Sequence, residues 1–188
     1  MAHFGELVLL LGDHFIPSRS SSIPAPFQRM LVPNKMQHVI CTGNIGSLEE
    51  YDRLRELVGG SSSHVHCVAG EYDFVNGSSA ESIGTRPGNI SASTSALPPF
   101  PETKVIQLGQ FRIGIVGCHQ VVPWGDLSAL AMTRRKLNVD VLVCGSRRKE
   151  GVVEYEGNYH RLIENLGRFV PAKFTDSFAL YAQTSTMS

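Results

Sequence analysis

Polar side chains gather just after apolar runs at five places in this chain. They are Gly12-Asp13-His14-Phe15, Thr42-Gly43-Asn44, Gly70-Glu71-Tyr72-Asp73, Gly117-Cys118-His119 and Gly145-Ser146-Arg147-Arg148. Carboxylates, a carboxamide and an imidazole are the donor types of metal-assisted hydrolysis. A guanidinium is a fixed cation, which a metal site does not want. Glycine lets the backbone turn sharply, so the side chain that follows can enter a shared crevice. In α/β folds, chemistry collects at the carboxyl ends of parallel strands. Asp13, Asn44, Glu71, His119 and Arg148 are therefore expected to converge.

Strand-length apolar runs position these residues: 7–11, 38–43, 64–70, 104–117, 139–145, 151–163 and 177–182. Leu108-Gly109-Gln110 and Glu156-Gly157-Asn158 each split a run into a hairpin. Near-continuous Val/Ile/Leu runs indicate strands buried on both faces. Helices fall between them. Residues 47–60 open with Ser47 and Glu50, a capping box, and end at Gly59-Gly60. Residues 125–138 have a cap at Asp126, and 24–33 give a short helix held between prolines. The expected architecture is an α/β sandwich of two facing sheets flanked by helices, in a single domain.

With 188 residues the chain can build one full core, and Lys+Arg 17 against Asp+Glu 17 leaves no net charge. No electrostatic footprint for nucleic acid or an anionic membrane follows. No apolar run approaches the roughly 20 residues of a membrane span. "ELVLLLGDHF" is read as a core strand and not as a signal peptide. Cys41, Cys67, Cys118 and Cys144 are scattered near the ends of apolar runs, as buried thiols in a reducing compartment would be. Residues 75–99 are dominated by Ser, Gly, Ala, Thr and Pro and cannot offset their own ordering entropy. They are expected to form a low-complexity surface insertion. Asn89-Ile90-Ser91 matches a glycosylation sequon, but the cysteines argue against secretion.

The order Gly-Asp, "TGN", Gly-Glu-Tyr-Asp, "HQVVPWGD" and Gly-x-x-x resembles the calcineurin-like metallophosphoesterases. More narrowly, "LVPNKMQHVICTGN" and "GQFRIGIVGCHQVVPWGDLSAL" are similar to the vacuolar protein sorting 29 family, the small subunit of retromer. The likeness covers residues 6–74 and 102–150. It thins beyond 150, where the family's Asn-Pro-Gly-Ser turn has no counterpart.

The resemblance implies a metal-site face whose ligands have been replaced. Asp13 keeps the first carboxylate, but Phe15 stands in place of the companion imidazole. His14 is one residue off, and that shift turns an extended side chain to the opposite side. Asn44 replaces a bridging Asp, Glu71 replaces an Asn or Asp, and Tyr72 replaces the catalytic His. A phenol of pKa about 10 is a weak general acid. Gly117 takes the place of another imidazole, His119 lies two residues on, and Ser146 and Arg148 stand in for two more. Beside a guanidinium, a divalent ion at about 4 Å and dielectric 20 meets roughly 8 kcal/mol of repulsion. No cofactor and no catalytic residue is expected. Arg148 either reaches back to Asp13 and Glu71 or lies solvated on its turn.

The resemblance also implies a scaffold subunit of an endosome-to-Golgi cargo-sorting coat, cytoplasmic and peripheral on endosomes through its complex. The old metal face would dock on the vacuolar protein sorting 35 solenoid, with Phe15, Ile16, Pro17, Val122 and Trp124 as contact or supporting residues. Trp124, the only tryptophan, is otherwise a core residue. A second patch, matched by Leu7, Met30 and Leu31, would receive regulators of small GTPases. Leu7 is equally well read as strand core. His64 and His66, on one strand face at i, i+2, are either packing residues or a metal pair. The competing function is a metal-dependent phosphoesterase with an atypical ligand set.

Overall fold

The structure is a computed structural model that describes residues 6–17, 22–23, 25–73, 97–146, 151–155, 158–164 and 180–181. Among the described residues, nine strands form two sheets. The first holds β1 (Leu7–Leu11), β2 (His38–Cys41), β3 (Val65–Cys67) and β9 (Leu180–Tyr181), in the order β3-β2-β1-β9. β1, β2 and β3 run parallel and β9 runs antiparallel to β1. The second holds β4 (Thr103–Leu108), β5 (Phe111–Val116), β6 (Val141–Ser146), β7 (Gly151–Tyr155) and β8 (Asn158–Glu164), in the order β4-β5-β6-β8-β7. Both expected hairpins form, β4–β5 and β7–β8. β5, β6 and β8 are parallel neighbours.

The period-2 alternation of strands sorts the core into layers. Val8, Leu10, Ile40 and Val68 from the first sheet meet Ile113, Ile115 and Val143 from the second. The outward residues Leu9, Leu11, Val39, Cys41, Val65 and Cys67 pack with Leu54 and Leu57 of helix α2 (Leu48–Leu57). On the far side, Val116, Leu142 and Cys144 pack with Leu130 of helix α3 (Leu127–Leu137). The short helix α1 spans Ala25–Gln28 and buries Phe27. The result is the expected sandwich, with helix, sheet, sheet and helix stacked in turn. All four cysteines are buried free thiols.

Asp126 caps α3 by accepting from the Ala129 amide at 2.8 Å. Ser47 caps α2 by accepting from the Glu50 amide at 3.3 Å. The reciprocal half of the expected capping box does not form, because the Glu50 carboxylate is buried against His14 instead. Of the expected insertion, residues 75–96 lie outside the described residues, whereas Leu97 already packs against the cluster under α2. Leu7 and Leu31 pack at the edge of that same cluster, while Met30 is 54% exposed. His64 sits on a 3-10 turn (Ser62–His64) and not on the strand face expected of it. Among the described residues, no helix is long and apolar enough to cross a membrane.

Candidate functional site

Asn44 is the hub at the carboxyl end of the first sheet. Its side-chain Nδ2 donates to Asp13 Oδ2 at 3.0 Å, and its Oδ1 accepts from the Tyr72 amide at 2.8 Å. A carboxylate only accepts and a backbone amide only donates, so the carboxamide fits just one way round. The Asn44 backbone takes part as well. Its amide donates to Asp73 Oδ2 at 2.8 Å, and its carbonyl accepts from the Phe15 amide at 2.7 Å. Asp73 Oδ2 also accepts from the Gly70 amide at 2.9 Å, so one carboxylate oxygen closes the β3 turn onto the β2 turn.

This approach requires two glycines. A Cβ on Gly70 would lie 2.3 Å from the Asn44 amide nitrogen. Gly43 adopts φ +130, and a Cβ there would lie 2.6 Å from the Gly70 Cα. Side chains at those distances are excluded, and L-residues avoid that φ.

The second sheet closes the crevice from the other side. Cys118, just beyond β5, places its Sγ 3.9 Å from Asp13 Oδ2. Gly145, near the end of β6, lies so close that a Cβ would be 2.9 Å from Thr42 Oγ1. Burial, helped by Cys118 and Asp13, pushes the Cys144 thiol up to about 12, so it stays protonated. The His119 ring is laid against Gly117, where a Cβ would meet its Cε1 at 2.8 Å.

The structure thus brings Asp13, Asn44 and the Tyr72 backbone together and adds Asp73 and Cys118, neither of which the sequence reading had expected at the site. Glu71 is exposed on the turn. Ser146 ends β6, and Arg148, with the expected salt bridge to Asp13 and Glu71, lies outside the described residues. A visible signal existed for Asp73. A short acid three residues after a glycine can cap the turn's amides.

Phe15 occupies the position where the resemblance placed a lost imidazole. It is 6% exposed and packs edge-on against Tyr72, with ring centroids 5.6 Å apart. Its φ of +52 is left-handed, which costs a non-glycine residue about 1–2 kcal/mol. That backbone turn sends His14 away from Phe15, toward α2. His14 Nδ1 lies 3.4 Å from Glu50 Oε1, with both side chains buried. Burial alone would lower the His14 pKa, but Glu50, Cys41 and Asp13 outweigh it and leave the group raised above 6.5.

Large hydrophobic side chains are exposed on the loops that carry this centre. Val122 is 72% exposed, Trp124 47% and Tyr72 45%. Val122 and Trp124 continue the loop that begins with Cys118, and Pro17 is exposed beyond the buried Ile16. Trp124 is therefore a surface residue and not a core one.

A second polar cluster lies at the other end of β2. His38 Nδ1 is 3.1 Å from His66 Nε2, the two rings are stacked, and His64 meets His38 edge-on with centroids 5.0 Å apart. Burial, with Lys104, His38 and His64 nearby, pushes His66 down to about 4, so its ring is neutral. Among the described residues, no three His, Cys, Asp or Glu side chains come together as a metal ion would require, here or in the crevice.

Comparison with known proteins agrees with the fold. The model of the calcineurin-like phosphoesterase superfamily domain matches residues 7–186. Vacuolar protein sorting-associated protein 29 of Schizosaccharomyces pombe is 30% identical over 151 residues, which cover 80% of this chain and 67% of that protein. The structure of vacuolar protein sorting 29 from Cryptosporidium parvum aligns with a TM-score of 0.67 at 32% identity, over 86% of this chain and 75% of that one. A zinc complex of the wild-type Entamoeba histolytica protein aligns with a TM-score of 0.61 at 35% identity, over 85% of this chain and 74% of that one.

Proposed function

This chain belongs to the calcineurin-like phosphoesterase superfamily and, within it, to the vacuolar protein sorting 29 family; on that premise we propose that it is a non-catalytic scaffold subunit of the retromer cargo-sorting coat. Its partner is the helical solenoid subunit, vacuolar protein sorting 35, seated on the crevice face. Pro17, Tyr72, Val122 and Trp124 make the contact, and the buried Phe15 and Ile16 support it from beneath. Association reaches endosome membranes through the complex. Leu7, Met30 and Leu31 form a separate patch for regulators of small GTPases, with Met30 as its exposed member.

The observation that carries this reading is the Asn44 carboxamide. Both of its ends are committed to the protein, one to Asp13 and one to the Tyr72 amide. A metal would need the Asp13 oxygen that Asn44 now holds, together with imidazoles where Phe15 and Tyr72 stand. The residues present do not fit a two-metal centre, and no hydrolytic step is assigned to them. The exposed Val122 and Trp124 supply what a docking face needs instead, since aromatic and apolar anchors dominate interface energy.

The zinc complex of the Entamoeba histolytica relative favours the competing reading, a metal-dependent phosphoesterase. Two assays separate them. Capture of the solenoid's carboxyl-terminal half is expected for the wild-type chain and is lost in Val122→Asp. Phosphatase turnover with added manganese is expected to be absent. Turnover that Asp13→Ala abolishes would install the enzyme in place of the scaffold.

A further inference from the structure

His14 lies in the crevice loop, yet its side chain serves α2. Its Nδ1 faces Glu50 Oε1 at 3.4 Å, and the two side chains are 0% and 1% exposed. Among the described residues, none of His14 Nδ1, His14 Nε2 and Glu50 Oε1 has a hydrogen-bond partner, so the 3.4 Å ion pair is the polar contact left to the facing atoms Nδ1 and Oε1. Each group therefore depends on the other to offset its burial. Glu50 sits in the first turn of α2, where the helix dipole favours a carboxylate. Its other oxygen lies 3.5 Å from the half-exposed Arg53 guanidinium.

Besides the Asn44 bond to Asp13 and the ring contact of Phe15 with Tyr72, backbone contacts hold the loop that carries His14. The Phe15 amide donates to the Asn44 carbonyl at 2.7 Å, and the Ile16 carbonyl presses on Gly46, where no Cβ would fit. Both restraints involve backbone, and both tie the loop to residues 44–46. The His14 side chain is the tie that reaches the helix itself.

We propose that His14 and Glu50 are a positioning pair. Their buried contact fixes the loop from Asp13 to Pro17 on the first turn of α2, and so sets the shape of the docking face. The pair touches no partner. It acts through Phe15, whose left-handed backbone and ring contact with Tyr72 depend on where the loop is held. This inference rests on the docking role proposed above.

A double-mutant cycle on the full chain tests it, using His14→Leu, Glu50→Leu and the two combined. Glu50→Gln keeps the shape if Glu50→Leu does not fold. Two quantities are read well below the melting temperature: affinity for the solenoid's carboxyl-terminal half, and hydrogen exchange of the Phe15 amide. Each single change orphans a buried partner and is expected to weaken affinity and speed exchange by about tenfold. The double change leaves no orphan and is expected to return both to within about threefold of wild type. Single variants that melt earlier yet keep wild-type affinity and exchange would reduce the pair to a stability element and overturn the proposal. So would a double variant as defective as the singles. If the wild-type chain fails to capture the solenoid, the docking role falls, and exchange at Phe15 still decides the pair.

Discussion

The crevice beyond Cys41 and the histidine cluster around His38 stand at opposite ends of one four-residue strand, β2. The crevice is where the fold gathers strand ends, and it is held together by Asp13, Asn44 and Asp73. The other end, where the amino ends of the parallel strands β2 and β3 lie, holds three imidazoles, His38, His64 and His66. Donor types and donor positions have come apart. Position decides, because only the carboxyl ends of the parallel strands aim several loops at one point. At the histidine end, the His38 and His66 rings stack with a 3.1 Å nitrogen contact, and among the described residues His66 Nδ1 is left buried without a hydrogen-bond partner. In the crevice, oxygen and amide groups close on themselves, and Tyr72, Val122 and Trp124 are exposed outside.

Four changes probe that contrast. Gly70→Ala strikes hardest, because its Cβ would fall on the Asn44 amide and side chain and push the β2 and β3 turns apart. A loss of about 4 kcal/mol or more in urea denaturation is expected. Full stability in this variant would show that the two turns do not depend on close approach. Asp73→Ala removes an acceptor shared by two backbone amides and should cost about 2–3 kcal/mol in the same measurement. A cost near zero would mean that solvent satisfies those amides.

The histidine end is tested by pH. The folded pKa of His66, about 4, lies below its ordinary 6.5. The unfolded chain therefore takes up a proton that the folded chain refuses. This contribution is complete above pH 6.5 and drains away as pH falls toward 4, by about 1–2 kcal/mol at pH 5. His66→Leu should flatten the stability profile between those limits, and an unchanged profile would remove His66 as its source. The smallest effect belongs to the exposed side chains outside the crevice. Val122→Asp should alter stability by no more than about 0.5 kcal/mol, since Val122 is exposed. A large loss would show that Val122 packs in the folded chain and would spoil it as a docking probe.

Much of this was legible in the sequence. Uninterrupted Val/Ile/Leu runs gave β1, β2 and β6, and the glycine turns gave both hairpins. Ser47 and Asp126 marked their helices. The one-residue offset between His14 and Phe15 was visible, but the left-handed backbone at Phe15 was not. Tertiary pairings were not legible. Glu50 matched a local capping box, and only the packing of α2 against the β1 loop reveals that its carboxylate serves His14. Asp73 stood in plain sight beside Glu71, but which of two neighbouring acids turns inward is set by the backbone of the turn. Cys118 looked like an inert thiol, and its place beside Asp13 depends on how the two sheets face each other. His64 and His66 matched a strand pair, and the 3-10 turn that ends at His64 separated them.

The most direct test of a crevice wired to itself is anomalous diffraction from crystals grown in manganese. The account predicts no manganese peak between Asp13 and the Phe15–Tyr72 pair, with Asn44 Nδ2 still bonded to Asp13. A peak bonded to Asp13, with the Asn44 carboxamide turned to present its oxygen, would contradict it.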